Sequence, residues 1–233
     1  MQALILSAGE GKRLRPMTNV LPKVMIDVLG KPLLEHHIRM LRQQDIKDIF
    51  INLFYLPEKV INYFGNGEKF GVNIIYSRED KLLGSAGALH NFKKELKNDF
   101  FVLYGDVFMK VDLKKMLAFH QQKRSLFTIA VHPSIHPKDS DLIEINKEQK
   151  ITSWIKTPHK LNRGLNSAGL YIINSQILKF LSVKVPSDFA HDFIPLLIKK
   201  IPLFAYNTSE LMMDIGTIDR YNKLIKLLLS QNK

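Results

Sequence analysis

The chain has 233 residues, a net charge of +12 at pH 7 and no cysteine. That excludes a disulfide framework and thiolate chemistry, and no apolar run approaches the roughly 18–20 residues a membrane-spanning helix needs. Lysines are scattered and aromatics are not interleaved with arginines, so the charge reads as a solvated basic surface that attracts anionic substrates, not as a nucleic-acid platform.

The length suits one large α/β domain, and neither a Gly/Ser/Pro-rich linker nor an internal repeat divides it. No cationic segment followed by an apolar one opens the chain, so no membrane partner and a cytoplasmic location are expected.

Residues 3–6, a short apolar run, read as a buried strand. It empties into Ser7-Ala8-Gly9-Glu10-Gly11, followed by Lys12, Arg13, Arg15 and Pro16, with Lys23 after Pro22. Glycines let backbone N–H groups approach phosphate oxygens, and arginine and lysine supply countercharge. The spacing fits neither G-x-G-x-x-G nor the P-loop.

A helix is expected over residues 32–43 from the period of Leu33, Leu34, Ile38 and Leu41, then a strand over 48–54. Pro57 opens a second helix that Gly65-Asn66-Gly67 closes. A strand over 72–76, a helix over 87–96 and a strand over 100–104 ending at Gly105-Asp106 follow. This alternation implies a mostly parallel sheet with ligands at the carboxyl ends of its strands. Beyond it, 125–132, 142–145 and 169–173 read as strands, and 177–181 and 189–199 as helical. Residues 217–229 form an amphipathic closing helix with Ile218, Tyr221, Leu224, Ile225 and Leu228 on one face. Core packing accounts for that stripe, a dimer contact being the alternative.

Asp106, at the end of a buried strand, is placed to hold a cation above the sheet, although an Asp there also serves as a cap or turn residue. Asp214 could cap the last helix, but Thr217 can do that instead. Residues 83–89 alone read as a close-packed helix start. His132 and His136 are spaced four apart, yet Pro133 and Pro137 oppose the helix that a metal-binding pair would need, and no third ligand is evident.

The stretch Ser7-Ala8-Gly9-Glu10-Gly11-Lys12-Arg13-Leu14-Arg15-Pro16…Pro22-Lys23 fits [SAG]-[AG]-G-x-G-x-R-[LM]-x-P…P-K. It resembles the signature of the sugar-phosphate nucleotidyltransferases, the nucleotide-sugar pyrophosphorylases. Residues 83–89 resemble that family's L-G-T-A-G-A-L segment, and 212–217 its [WM]-x-D-[IT]-G-[TS] motif. Residues 165–171 resemble N-[AS]-G-[IL]-Y with one extra residue, so that either Asn166 or Ser167 would be the sugar contact. Residues 188–195 match D-F-x-x-D-[IVF]-x-P, which brings in Asp192. Residues 132–142 resemble H-P-x-x-H-P-x-D-S-D-L of the heptose-1-phosphate guanylyltransferase subgroup, where Ser140 and Asp141 would line the sugar pocket. One departure stands out: the family's Glu-Lys-Pro appears here as Lys156-Thr157-Pro158, so Lys156, Lys160 or Arg163 would have to hold the sugar 1-phosphate.

The resemblance implies a Rossmann-like α/β fold of three layers with a mixed, mostly parallel central sheet, of the nucleotide-diphospho-sugar transferase type. It implies a single domain over 1–233, with a nucleotide-binding half to about residue 110 and a sugar-binding half and closing helix after it. The implied reaction joins an NTP to a sugar 1-phosphate and releases pyrophosphate, with Arg13, Lys23 and Asp106 catalytic. Nucleotide binding falls to Leu6, Ala8, Gly9, Gly11, Lys12, Arg13, Gly84, Ser85 and Gly87. Sugar-phosphate binding falls to Lys23, Asp141, Lys156, Asn166, Ser167 and Asp192, and Mg²⁺ to Asp106 with Asp214. GTP with a heptose or mannose 1-phosphate is the favoured pair, acting as a monomer or homodimer. Alternatives are a uridylyltransferase for an N-acetylated sugar 1-phosphate and a binding module without turnover.

Overall fold

The computed structural model describes residues 1–134 and 137–231. In chain order come β1 (Gln2–Leu6), α1 (Leu33–Gln43), β2 (Asp48–Leu53), α2 (Pro57–Phe64), β3 (Asn73–Arg78), β4 (Asp99–Tyr104), β5 (Val107–Lys110) and α3 (Leu113–Gln122). Then follow β6 (Phe127–Pro133), β7 (Leu142–Ile145), β8 (Ile151–Ile155), β9 (Leu165–Asn174), α4 (Ile194–Ile198), β10 (Phe204–Asn207), β11 (Leu211–Asp214) and α5 (Ile218–Gln231). The chain divides into two compact units that interleave in sequence: Met1–Leu82 with Leu103–Val111 and the segment from Glu210 onward, and Leu83–Val102 with Asp112–Ser209.

In the first unit, Ala3, Leu4 and Ile5 are apolar in succession and fully buried, the pattern of a parallel strand covered on both faces. β1 pairs in parallel with β2, Leu4 opposite Phe50, and β2 in parallel with β3, Phe50 opposite Ile75. β5 and β11 form an antiparallel pair with Val107 opposite Asp214. A core of Leu14, Ile26, Val28, Leu33, Phe108, Ile215, Leu224 and Leu228 anchors the N-terminal loop, α1 and α5 together. Of the stripe expected on α5, Leu224 and Leu228 are buried and Tyr221 and Ile225 pack partly against the core, whereas Ile218 is 39% exposed.

In the second unit, β9 pairs antiparallel with β6 and β7, β8 antiparallel with β7, and β10 parallel with β6. Phe127, Tyr171, Phe189 and Phe193 pack ring against ring at centroid distances of 5.0–6.3 Å. The mixed, mostly parallel central sheet with flanking helices is the α/β architecture that the sequence implies.

Several elements differ from expectation. Residues 87–96 form no α-helix; a 3₁₀ helix runs over Gly87–Phe92, and its first amides are drawn to an outside carbonyl, Ser187 O. Ser175–Phe180 is also 3₁₀. The expected helix over 189–199 breaks into a π turn, Phe189–Phe193, and the short α4 at Pro195, which has no N–H to donate. The strand expected at 169–173 begins earlier, at Leu165. Helix α3 went unrecognised because it buries only Leu113, Met116 and His120. Its signal is the N-cap: Asp112 accepts from the N–H groups of Lys114 and Lys115 at 3.1 and 3.2 Å.

His37 of α1 is fully buried, and its Nε2–H donates to Val107 O at 2.7 Å, which ties α1 to β5. Burial pushes its pKa down to about 4, against the opposing pulls of the Val107 carbonyl and the Asp106 charge.

Leu224→Ala is expected to lower unfolding free energy by about 2–5 kcal/mol, and Ile218→Ala to change it by no more than about 0.5 kcal/mol, read by urea denaturation. His37 predicts a pH effect. Between pH 6.5 and about 4 the unfolded chain binds a proton that the folded protein refuses, so stability falls as pH drops through that window. The loss approaches about 3 kcal/mol, and His37→Gln should flatten the slope of stability against pH there.

Candidate functional site

The loop after β1 leaves from a fixed point. Ser7 N–H donates to Asn52 Oδ1 at 3.0 Å, and Gly105 N–H donates to Leu6 O at 2.9 Å. A Cβ on Gly105 would lie 2.7 Å from that same oxygen, so only glycine allows the approach. Ala8 follows half-buried, and Gly9 has no atom within 4 Å of where a side chain would begin, which leaves its backbone bare. Gly11 has φ +65°, and its carbonyl accepts from the Thr18 hydroxyl at 2.8 Å. That left-handed turn delivers a 3₁₀ segment, Lys12–Leu14, pinned by buried Leu14. Lys12 pairs with Glu10 at 2.7 Å on the surface, and Arg13 stands exposed beside it.

The loop's cationic residues meet two aspartates. The Lys23 side chain is 8% exposed, and its ammonium donates to Asp106 Oδ2 at 2.5 Å. The β5–β11 pairing sets Asp214 opposite Val107, and Ile215 N–H donates to Asp106 O at 3.0 Å, so the two aspartates lie on adjacent backbones. Gly216 is where the charges converge. A Cβ there would lie 2.5 Å from Asp214 Oδ1, 3.2 Å from Arg13 Nη2 and 3.5 Å from Lys23 Nζ. Asp214 Oδ1 accepts Gly216 N–H at 2.7 Å, and its other oxygen pairs with Arg220 in the first turn of α5. Thr217 caps that helix by accepting Arg220 N–H at 3.3 Å. Arg220 escaped sequence reading, since nothing local marks it as the partner of Asp214.

No cluster of three or more metal-ligating side chains occurs among the described residues. Asp106 and Asp214, with side chains 35% and 36% exposed, form a pair of hard oxygen donors. That set fits Mg²⁺, which takes one or two carboxylates and completes its shell with phosphate oxygens and water.

In the second unit the small residues of 83–87 are matched to a close neighbour. Gly84 has φ +80°, and a Cβ there would run into the Ser187 carbonyl. Ala86 and Gly87 both donate to Ser187 O at 3.0 Å, and Ser187 N–H returns a bond to Leu83 O at 2.8 Å. Ser85 Oγ donates to Asp188 Oδ2 at 2.7 Å and accepts Phe189 N–H at 2.9 Å. Asp188 and Asp192 form a reciprocal cap: Asp188 Oδ1 accepts Ala190 N–H at 3.0 Å, and Asp192 Oδ2 accepts Asp188 N–H at 2.7 Å.

Asp141 uses both oxygens. One accepts the Thr157 N–H and hydroxyl at 2.9 and 3.2 Å, the other Trp154 Nε1–H at 3.1 Å. His159 Nε2–H donates to Ser140 O at 3.0 Å. Lys156, Lys160 and Arg163 are all exposed, and Lys156 donates to His191 O at 2.7 Å. The extra residue between Asn166 and Gly169 enters a bulge, where four steps along β9 from Ser167 to Tyr171 face two along β6. Ser167 Oγ donates to Tyr171 OH at 3.2 Å, and the buried Asn166 Oδ1 finds no hydrogen-bond partner among the described residues. His136 lies outside the described residues. Among those described, no helix is long and apolar enough to cross a membrane.

Two glycines give a stability contrast. Gly84→Ala should cost more than about 2 kcal/mol, since left-handed backbone alone costs roughly 1–2 kcal/mol and the Ser187 carbonyl blocks the methyl. Gly9→Ala, facing open space, should stay within about 0.5 kcal/mol. Urea unfolding of both variants checks this.

Residues 2–231 match the nucleotidyl transferase family. UTP–glucose-1-phosphate uridylyltransferase of Synechocystis sp. is 31% identical over 249 residues, covering 99% of this chain and 64% of that protein. Mannose-1-phosphate guanyltransferase 2 of Candida glabrata is 31% identical over 222 residues, covering 93% and 61%. The chain thus spans less than two thirds of the length of these curated relatives. A Bacillus anthracis protein crystallised with sucrose shares the fold, with a TM-score of 0.89 at 24% identity over 97% of this chain and 94% of that one. The sequence match runs from β1, through the paired aspartates, to the last helix, and the chain therefore belongs to the nucleotidyl transferase family.

Proposed function

We propose that the protein transfers a nucleotidyl group from an NTP to a sugar 1-phosphate. The observation that carries this reading is the convergence of Arg13, Lys23 and Asp214 around Gly216, with Asp106 bound to Lys23, beside a loop in which Gly9 leaves the backbone bare. An oxygen of the sugar phosphate attacks the α-phosphorus in line, the new P–O bond forms as the α–β bridge breaks, and the electron pair leaves with pyrophosphate. Such a displacement needs positioning and charge neutralisation more than covalent help from the protein.

Within this scheme the amides of residues 8–11 cradle the triphosphate, with Leu6 and Lys12 flanking it. Arg13 neutralises the departing pyrophosphate. Lys23 supplies a cation at the α-phosphate and the incoming sugar phosphate. Asp106 and Asp214 would hold Mg²⁺, which when bound draws charge from the phosphate oxygens. The nucleoside role of Gly84, Ser85 and Gly87 rests on the family resemblance of the 83–89 stretch, since Gly87 N–H and the Ser85 hydroxyl are engaged with 187–189. For the sugar, Asn166 Oδ1 offers a buried acceptor with its capacity unspent, and Ser167 lies beside it. Asp141, Lys156 and Asp192 shape that region through their bonds to Thr157, His191 O and Asp188.

GTP with a mannose or heptose 1-phosphate is the favoured pair, supported by the 132–142 stretch and by the guanyltransferase relative. A UTP reading is favoured by the Synechocystis relative. Pyrophosphate release, measured with four NTPs crossed against a panel of sugar 1-phosphates and Mg²⁺, separates them. Fastest release with GTP and mannose or heptose 1-phosphate is expected. Nucleotide binding without release from any pair would identify a binding module instead.

Arg13→Ala should lower kcat by roughly 10²–10³-fold with little change in sugar-phosphate affinity, as expected for loss of one charge-stabilising donor. Near wild-type turnover would remove Arg13 from this role. Asp106→Asn and Asp214→Asn should be non-additive, the double variant little worse than either single, because groups that serve one ion act as a unit. Additive losses, or activity that survives chelation, would make the two carboxylates structural.

A further inference from the structure

Asn52, in the last turn of the pleat of β2, belongs to none of the motifs above. It is 3% exposed and lies between Leu6 of β1 and Ser77 of β3 in the strand register. Its two polar atoms are both committed: Oδ1 accepts Ser7 N–H at 3.0 Å, and Nδ2 donates to Glu79 Oε1 at 2.8 Å. Glu79, 8% exposed, follows β3 and donates its own N–H to Leu53 O at 2.8 Å.

We infer that Asn52 is a positioning residue for nucleotide binding, a strut that sets the first residue of the phosphate loop against the carboxylate that follows β3. The inference rests on the phosphate-binding role proposed for that loop. Ser7 N–H needs an acceptor and Glu79 needs a donor, and at this length the asparagine amide supplies one of each. A carboxylate at 52 would face a second carboxylate, and an apolar side chain would leave the Ser7 N–H without its acceptor. On the far side of β1, Gly105 N–H holds Leu6 O, so the chain is gripped from both neighbouring strands just where the loop begins. With Ser7 N–H turned inward to Asn52, the amides that follow are free to face a ligand, and the loop need not be ordered at the moment of binding.

The test uses inorganic tripolyphosphate as the probe, because it has neither base nor sugar, together with KM for each substrate. Asn52→Asp should weaken tripolyphosphate binding about tenfold or more and raise KM for the NTP in proportion, while KM for the sugar 1-phosphate stays within about twofold. Glu79→Gln alone should be mild, since the glutamine oxygen still accepts from Asn52. The double variant Asn52→Asp with Glu79→Gln should recover affinity to within about threefold of wild type. The amide and the carboxylate have then exchanged places, and both hydrogen bonds can re-form. A melting temperature for each variant shows whether affinity moves independently of stability. Unchanged tripolyphosphate affinity in Asn52→Asp, a double variant no better than that single, or an equal rise in both KM values would each overturn the inference. Wild-type protein that binds no tripolyphosphate would overturn it as well. If the affinities behave as expected but no substrate pair releases pyrophosphate, the strut stands and the proposed reaction falls.

Discussion

Two aspartates stand side by side, and the first unit is arranged around them. Asp106 and Asp214 lie on adjacent backbones because β5 and β11 pair with Val107 opposite Asp214. Like charges held close together in a partly enclosed site repel one another. The fold answers with cations: Lys23, its side chain almost fully enclosed, for Asp106, and Arg220 for Asp214. Gly216 then has to be bare, because a methyl there would displace the Asp214 carboxylate and crowd Arg13. The same arrangement explains why His37 is kept neutral in the interior. It holds the Val107 carbonyl at the register point on which the pair of strands is set, and a charged imidazolium there would add a third cation where no solvent can reach it.

Part of this could be read in the sequence because it depends on short-range constraints. The glycines of the first loop, the buried run before it and the prolines around Lys23 lie within about two dozen residues, and each residue type has a local backbone reason to be there. Asp106 was legible as a strand-end carboxylate, and Asp214 through its resemblance to the family's [WM]-x-D-[IT]-G-[TS] motif. What joins them was not. Lys23 reaches across 83 residues to Asp106, and Asn52 across 45 to Ser7, and such contacts are fixed by strand register, which no local pattern encodes. Arg220 was hidden for a related reason. Its role depends on the turn at 215–217 carrying the first turn of α5 back over Asp214.

Segment 83–87 shows how a small-residue pattern can carry two meanings. Read alone it is a close-packed helix start, and read beside the family it is a surface for a nucleoside. The structure shows the packing in full: Gly84 and Gly87 let the chain reach Ser187, and Ser85 ties Asp188 to Phe189. The conformational demand on Gly84 is thus satisfied within the protein. The room left by these absent side chains is taken up by residues 185–187, so the small-residue pattern has a packing cause of its own, which composition alone could not separate from a ligand-facing one.

The departure at Lys156-Thr157 follows similar logic. Asp141 belongs to the stretch that suggested the sugar pocket, and the donors it meets from this segment come from one strand end: the backbone N–H and hydroxyl of Thr157 and the indole N–H of Trp154. A lysine at 157 has no short hydroxyl to give and would meet Asp141 as an ion pair, which would remove that cation from any incoming phosphate. Threonine closes the contact without spending a charge. Lys156, next along an extended chain, points the other way and reaches His191 O. An ammonium carries three N–H donors and that carbonyl uses one, so Lys156 keeps two donors and its full positive charge while its position is fixed. The one-residue shift of the lysine to 156 therefore keeps a held cation in this segment, placed by the turn at 188–193 instead of by the strand.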